Sequence, residues 1–189
     1  WEAQEADEKE KMLAQLNGVT VESGDYQIQV HIIEARDLVA KDLEGTSDPV
    51  VYVNVFDEQQ CTEVKEKCLN AVWDELFIIN KRALDKDDFE DAILKIDIMD
   101  ADTLTKNDLI GSYSVDLSWI YFKAHHELYR TWVGLVNDED PENNSGVQGY
   151  LKFSVQIVGP NDKLYVHDEK ADKKKEKEEE SKNNGAMTG

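Results

Sequence analysis

Basic residues are scarce. The 189-residue chain carries 21 Lys and Arg against 41 Asp and Glu, a formal net charge of −20. Wrapping nucleic acid needs clustered cations to neutralise phosphate, so this balance argues against a nucleic-acid partner. Standing electrostatic adhesion to anionic lipid is excluded too, unless something reverses the charge locally. Long hydrophobic runs are missing as well. Nowhere do about twenty apolar residues follow one another, so no helix here spans a bilayer. Cysteine is limited to Cys61 and Cys68, seven apart in one run of alternating character. An odd separation on a strand puts two side chains on opposite faces, which argues against an internal disulfide. Two free thiols fit a reducing cytosol. The chain opens on Trp1-Glu2-Ala3 with no Met and no basic-then-apolar stretch. It shows no signal peptide and reads as a fragment, with any anchor or targeting signal outside it.

What is present suffices for one domain with tails. Hydrophobic residues make up 40% of the chain, enough for a core. The ends differ from the middle. Residues 1–18 are rich in Glu, Lys, Ala and Gln, with Met12, Leu13 and Leu16 at helical spacing and Asn17-Gly18 as a stop. They read as a helical or flexible extension. Residues 161–189 alternate Lys and Glu without an apolar face, and read as a charged flexible tail or interdomain linker. The first 18 residues hold 5 acids and 2 bases and the last 29 hold 8 and 7, which leaves 28 and 12, or −16, for 19–160. The acidity belongs to the folded part.

That part reads as strand after strand: 26–33, 50–56, 61–67, 73–79, 92–99, 110–119, 128–136 and 149–158. Eight β-rich runs joined by Asp, Asn, Gly and Pro clusters predict an all-β, eight-stranded antiparallel β-sandwich. A polar stretch from Lys81 to Glu90 predicts a short helical insertion between the fourth and fifth strands. Trp73 and Trp132 sit in apolar strand runs and are expected in the core.

Several chemistries find no support. His125 and His126 are adjacent, with no Cys or His at ligand spacing for zinc. There is no Gly-x-Ser-x-Gly elbow and no Gly-rich phosphate loop. EF-hand spacing fails. Counted from Asp100, the sixth position is Thr105 rather than Gly and the twelfth is Gly111 rather than Glu. No enzyme is expected.

Two loops stand out. Asp42 and Asp48 bracket the loop after the first strand. Asp100 and Asp102 share one side of a strand end by period two, and Asp108 returns where the next strand starts. Taken singly, each is most simply a turn aspartate bonding its own backbone. If the two loops share one end of the sandwich, five carboxylates meet in one cup. Carboxylates a few ångströms apart repel strongly, and a hard divalent cation relieves that cost. Calcium accepts six to eight oxygens in flexible geometry, whereas magnesium demands stricter octahedral order. Five acids exceed what one ion needs, so two or three shared ions are expected.

At this point the residues resemble a known family. Ala35-Arg36-Asp37-Leu38 followed by Asp42-Leu43-Glu44-Gly45-Thr46-Ser47-Asp48-Pro49 is similar to the first calcium loop of C2 domains. Asn70-Ala71-Val72-Trp73-Asp74-Glu75-Leu76-Phe77 resembles their central run, with Ala71 where Pro is usual. Asp100-x-Asp102, then Asp108-x-Ile110-Gly111, resembles the third loop. The resemblance spans roughly 25–158. It implies a C2 domain over 19–160, of type II topology, with all five calcium-ligand positions filled by Asp: Asp42, Asp48, Asp100, Asp102 and Asp108. Later segments, among them Trp119-Ile120-Tyr121, His126 to Trp132, Gly149 to Lys152 and Val158 to Asp162, resemble the ferlins, large tail-anchored proteins with several C2 domains that act in vesicle and plasma-membrane fusion.

The resemblance implies a calcium-dependent phospholipid-binding module, monomeric as an isolated domain, at the cytoplasmic face of a membrane. Its partners would be anionic phospholipid and proteins of the fusion machinery. Leu43 and Leu104 occupy loop tips where membrane-docking C2 domains carry inserting apolar residues. Lys41 and Lys106 are the lipid-facing cations at the loop rims. Lys65 and Lys67 of the third run stand among glutamates, which argues against a strong polybasic headgroup site there. The alternative is a calcium-independent C2-type protein-interaction domain that docks a partner through the helix around Lys81–Glu90.

Overall fold

The structure, a computed structural model, describes residues 2–16, 18–101 and 108–187. Its centre is a set of eight antiparallel strands: β1 Gly24–Arg36, β2 Pro49–Val55, β3 Glu58–Cys61, β4 Ala71–Leu84, β5 Ile93–Asp100, β6 Asp108–Asp116, β7 Glu127–Val136 and β8 Val147–Val158. Their order is β3-β2-β5-β6-β7-β8-β1-β4. β6 and β7 share a single registered pair, Ser112 with Val136, so the set folds into two four-stranded leaves hinged there. β3-β2-β5-β6 forms one leaf and β7-β8-β1-β4 the other, and the expected sandwich is the architecture found.

Period-two alternation builds the core. Tyr26, Ile28, Val30 and Ile32 of β1, Leu94, Ile96 and Ile98 of β5, and Phe153, Val155 and Ile157 of β8 are all buried between the leaves. One end is closed by helices. The chain forms α1 Glu2–Leu16, α2 Lys86–Asp91 between β4 and β5, α3 Leu117–Tyr121 and α4 Glu169–Met187. α2 starts at Asp85, whose side chain accepts from the Asp87 amide. It buries Phe89, which stacks on Tyr26 at 4.4 Å and meets Tyr121 edge-on at 5.5 Å. α1 is tied to this end through Glu10 and Lys123, whose ammonium lies 3.8 Å from the Trp119 ring centroid.

Several local expectations need correction. The third strand is Glu58–Cys61, not 61–67: Phe56 and Asp57 both take positive φ (52° and 60°) in a two-residue turn, so pairing with β2 begins at once. Cys61 and Cys68 therefore do not share a strand, and both are free thiols. Trp119 lies on α3 rather than on a strand, since β6 ends at Asp116 and the chain turns helical over the buried Leu117 and Ile120. Trp132 is only half-buried, on the outer face of β7 opposite Lys152. Within the stretch expected as a charged flexible tail or interdomain linker, 169–187 forms helix α4, with strand-borne cations facing one side of its acids.

Candidate metal centre

Register puts the strand ends that carry four connections, those after β1, β3, β5 and β7, at the end away from α1, α2 and α3. The first wraps tightly. The amides of Lys41 and Asp42 both donate to the Thr46 carbonyl, at 3.1 and 2.8 Å, and the Gly45 amide donates to the Asp42 carbonyl at 3.1 Å. Gly45 holds φ +82°, a conformation that favours glycine. Buried Ser47 locks the base, its hydroxyl donating to the Val39 carbonyl at 3.0 Å while accepting from the Lys41 amide at 2.9 Å. Below it, Leu38 seats against Gly149, where a Cβ would lie 2.8 Å from the Leu38 side chain. The fourth connection is pinned by buried Asn137, which donates to the Leu109 carbonyl and accepts from the amides of Glu139 and Asp140.

Asp100 is the inward-facing residue that follows Leu94, Ile96 and Ile98 on β5, so the core alternation itself delivers a carboxylate to the end of the sandwich. It is 4% exposed. Its Oδ1 accepts from the Asp48 amide at 2.8 Å, and the Asp48 carbonyl accepts from the Ala101 amide at 2.9 Å. Asp48 Oδ1 accepts from the Lys67 amide at 2.7 Å. Asp42, Asp48 and Asp100 each offer one oxygen, and these three atoms lie within 4.8 Å of one another. Among the described residues none of the three is in an ion pair. Burial, and then the neighbouring carboxylates of Asp42 and Asp48, push the Asp100 carboxyl above its ordinary range against the pull of the Asp48 amide. A cluster of hard oxygens with unrelieved like charge suits calcium rather than zinc or copper.

The other residues singled out by sequence are distributed around this cluster. Asp108 pairs in register with Asp100 across the β5–β6 ladder but is exposed and outside the group of three. Asp102, Leu104 and Lys106 lie outside the described residues. Leu43 projects fully into solvent at the tip of the first connection. Lys41 is half-buried, its ammonium donating to Asn144 Oδ1 at 2.9 Å, so it ties the first connection to the fourth instead of standing free at the rim. Ser47 and Asn144 were missed by sequence reasoning, as neither type carries a signal beyond ordinary turn chemistry.

A two-leaved antiparallel sandwich with acidic connections at one end is the architecture of C2 domains, and a C2 domain family model matches residues 26–135. The chain belongs to the C2 domain family. It is similar to Ferlin 2 of Tetrahymena thermophila, 36% identical over 76% of this chain, and to myoferlin of Xenopus tropicalis, 31% identical over 84%. It spans only 8% of the length of each. Among solved structures it resembles the calcium-bound pair of C2 domains of Extended-Synaptotagmin 2, at a TM-score of 0.56, 24% identity and coverage of 75% of this chain and 48% of that one. A C2 domain of plant Extended Synaptotagmin 1 matches at a TM-score of 0.54 and 20% identity, with 75% of this chain and 96% of that one covered. These structural likenesses bear on fold.

Proposed function

We propose that this C2 domain is a calcium-dependent module for binding anionic phospholipid, part of a larger ferlin-like protein that acts in vesicle trafficking or membrane fusion at the cytoplasmic face of a membrane. The observation that carries this reading is the convergence of Asp42, Asp48 and Asp100 within 4.8 Å, beside a fully exposed Leu43. Asp42, Asp48 and Asp100, with Asp108 across the ladder and Asp102 from the same connection, would hold two or three calcium ions. Bound calcium supplies positive charge that cancels the carboxylate repulsion and open coordination positions for headgroup oxygens. The protein's own part is to hold the acids together before the ion arrives: Ser47 and Gly45 shape the first connection, and the Asp48 amide orients Asp100. Leu43 contributes only about 1.5–3 kcal/mol even if fully buried in lipid, so it assists rather than drives docking. Lys106 would face headgroups and Leu104 would enter with Leu43, whereas Lys41 acts mainly as a brace. No catalytic step is proposed.

A docking role for α2 receives no support, since its apolar residue Phe89 is spent inside the aromatic cluster. Cosedimentation with phosphatidylserine vesicles tests the proposal. Binding is expected in calcium and lost in excess chelator, and equal binding in both would refute it.

A further inference from the structure

A second charged cluster lies away from the acidic pole, on the outer face of the β7-β8-β1-β4 leaf. A bulge in β7 between Leu128 and Thr131 sets Tyr129 and Arg130 together opposite Ser154, whose hydroxyl accepts from the Arg130 amide at 2.8 Å. Arg130 holds φ +46° there, an uncommon conformation for a side-chain-bearing residue. The bulge aims its guanidinium beside Lys152 of β8. Trp132 completes the floor, its ring 4.8 Å from the Arg36 guanidinium and 5.8 Å from the Lys152 ammonium. Arg130 and Lys152 side chains are only 7% and 8% exposed.

Helix α4 fills this groove mainly through its acids. Asp172, Glu176 and Glu180 recur every fourth residue and so share one side of the helix. Tyr129 donates to Asp172 at 2.8 Å, and Arg36 reaches Glu180 at 3.4 Å. Glu176 is central. Its Oε1 accepts from Arg130 Nε at 2.7 Å, and its Oε2 accepts from Arg130 Nη2 at 2.8 Å and Lys152 Nζ at 2.6 Å. The carboxylate is then spent, and buried Arg130 Nη1 has no acceptor among the described residues.

We propose that the Arg130–Lys152 groove is a phosphate-binding site that α4 occupies through Glu176, so that a phosphate monoester, soluble or on a lipid headgroup, binds by displacing the helix. A carboxylate offers two oxygens, which leaves one buried nitrogen, carrying two of the fork's five N–H donors, unanswered. A phosphate monoester offers three terminal oxygens and about −1.5 to −2 charge at neutral pH, matching a guanidinium and an ammonium side by side. α4 is suited to removal. Its half-buried residues are Ala171, Asp172, Lys173 and Glu176, so ion pairs rather than an apolar face hold it. The site shares no residue with the Asp42–Asp48–Asp100 cluster and needs no calcium, which places this reading beyond the one above.

The test titrates the full chain, in chelator, with inositol hexakisphosphate by calorimetry, and in parallel with neutral vesicles carrying phosphatidylinositol bisphosphate by cosedimentation. Glu176→Gln removes the internal competitor and is expected to tighten binding by about tenfold or more if the docked helix outweighs the free one ten to one. Lys152→Met, added to Glu176→Gln, is expected to abolish the gain. In the unaltered chain, saturating ligand is expected to speed amide exchange across 169–187. The arm that shows this variant pattern identifies whether the phosphate is soluble or membrane-borne. Equal affinities for the unaltered and Glu176→Gln chains, or no binding of either probe to Glu176→Gln, would overturn the proposal. If Lys152→Met does not fold, unchanged α4 exchange at saturating probe overturns it equally.

Discussion

The acidic pole and the basic flank present the same electrostatic problem with opposite outcomes. At the pole, three carboxylates crowd together with no cationic side chain among the described residues to answer them. On the flank, Arg130 and Lys152 meet at one carboxylate, and the chain itself supplies that counter-charge from α4. Burying like charges costs free energy unless partners are provided. Where the fold provides the partner, the cluster is neutral at rest. Where it does not, the like charge stands unrelieved, and that is the feature on which the proposed calcium site rests.

Calcium should stabilise the whole domain through the pole. At one hundred times its dissociation constant the gain is about 2.7 kcal/mol, a melting shift of about 5–10 °C for a chain of this size. Asp48→Asn with Asp100→Asn should remove the shift in a thermal melt. The flank should respond to the loss of its internal anion instead. Glu176→Gln should cost α4 docking about 1–2 kcal/mol after solvent screening, read as faster amide exchange over 169–187 with calcium stabilisation unchanged.

Acid should act the same way on the flank. The Arg130 guanidinium, helped by Lys152 and opposed by burial, holds the Glu176 carboxyl well below its ordinary range, at about 2. A carboxyl depressed in the folded state stabilises it above the ordinary value and loses that contribution as pH falls towards the depressed one. α4 should therefore stay protected at pH 6 and lose protection between about pH 4.5 and 2, as hydrogen exchange at fixed temperature would reveal. At the pole, Leu43→Ala should weaken calcium-dependent vesicle binding by about 1 kcal/mol, roughly fivefold.

The smallest effect concerns Asp100 without calcium. Its carboxyl is raised, so the ionised form is disfavoured by the fold and stability from this group grows as pH falls through the folded value. Asp100→Asn should then raise the calcium-free melting point slightly, on the order of 1 kcal/mol at most in a partly solvated cluster. A fall instead would mean that the carboxylate repulsion is already relieved within the chain.

The two regions were unequally legible in the sequence. The pole is built by local rules: alternation through Leu94, Ile96 and Ile98 carries Asp100 to a strand end, and Gly45 and Pro49 mark the loop that presents Asp42 and Asp48. Spacing raises these candidates, and the resemblance to C2 loops joins them into one site. The flank depends on a bulge that aims Arg130 outward, which no alternation pattern displays, and on α4, whose contact face is charged rather than apolar. Asp172, Glu176 and Glu180 do recur every four residues, but that signal means nothing until the facing cations are known. Trp132 was misplaced for the same reason, since alternation gives the two faces of β7 without saying which one a distant helix will cover. The third strand shifted because the Phe56-Asp57 turn, not the hydrophobic run beyond it, fixes where pairing starts.

Calorimetric titration of the unaltered chain with calcium, beside Asp100→Asn, measures the pole most directly. We expect saturable heat of binding in the first and its loss or severe weakening in the second. No heat in the unaltered chain, or the same isotherm for both, would contradict a calcium site built on Asp42, Asp48 and Asp100.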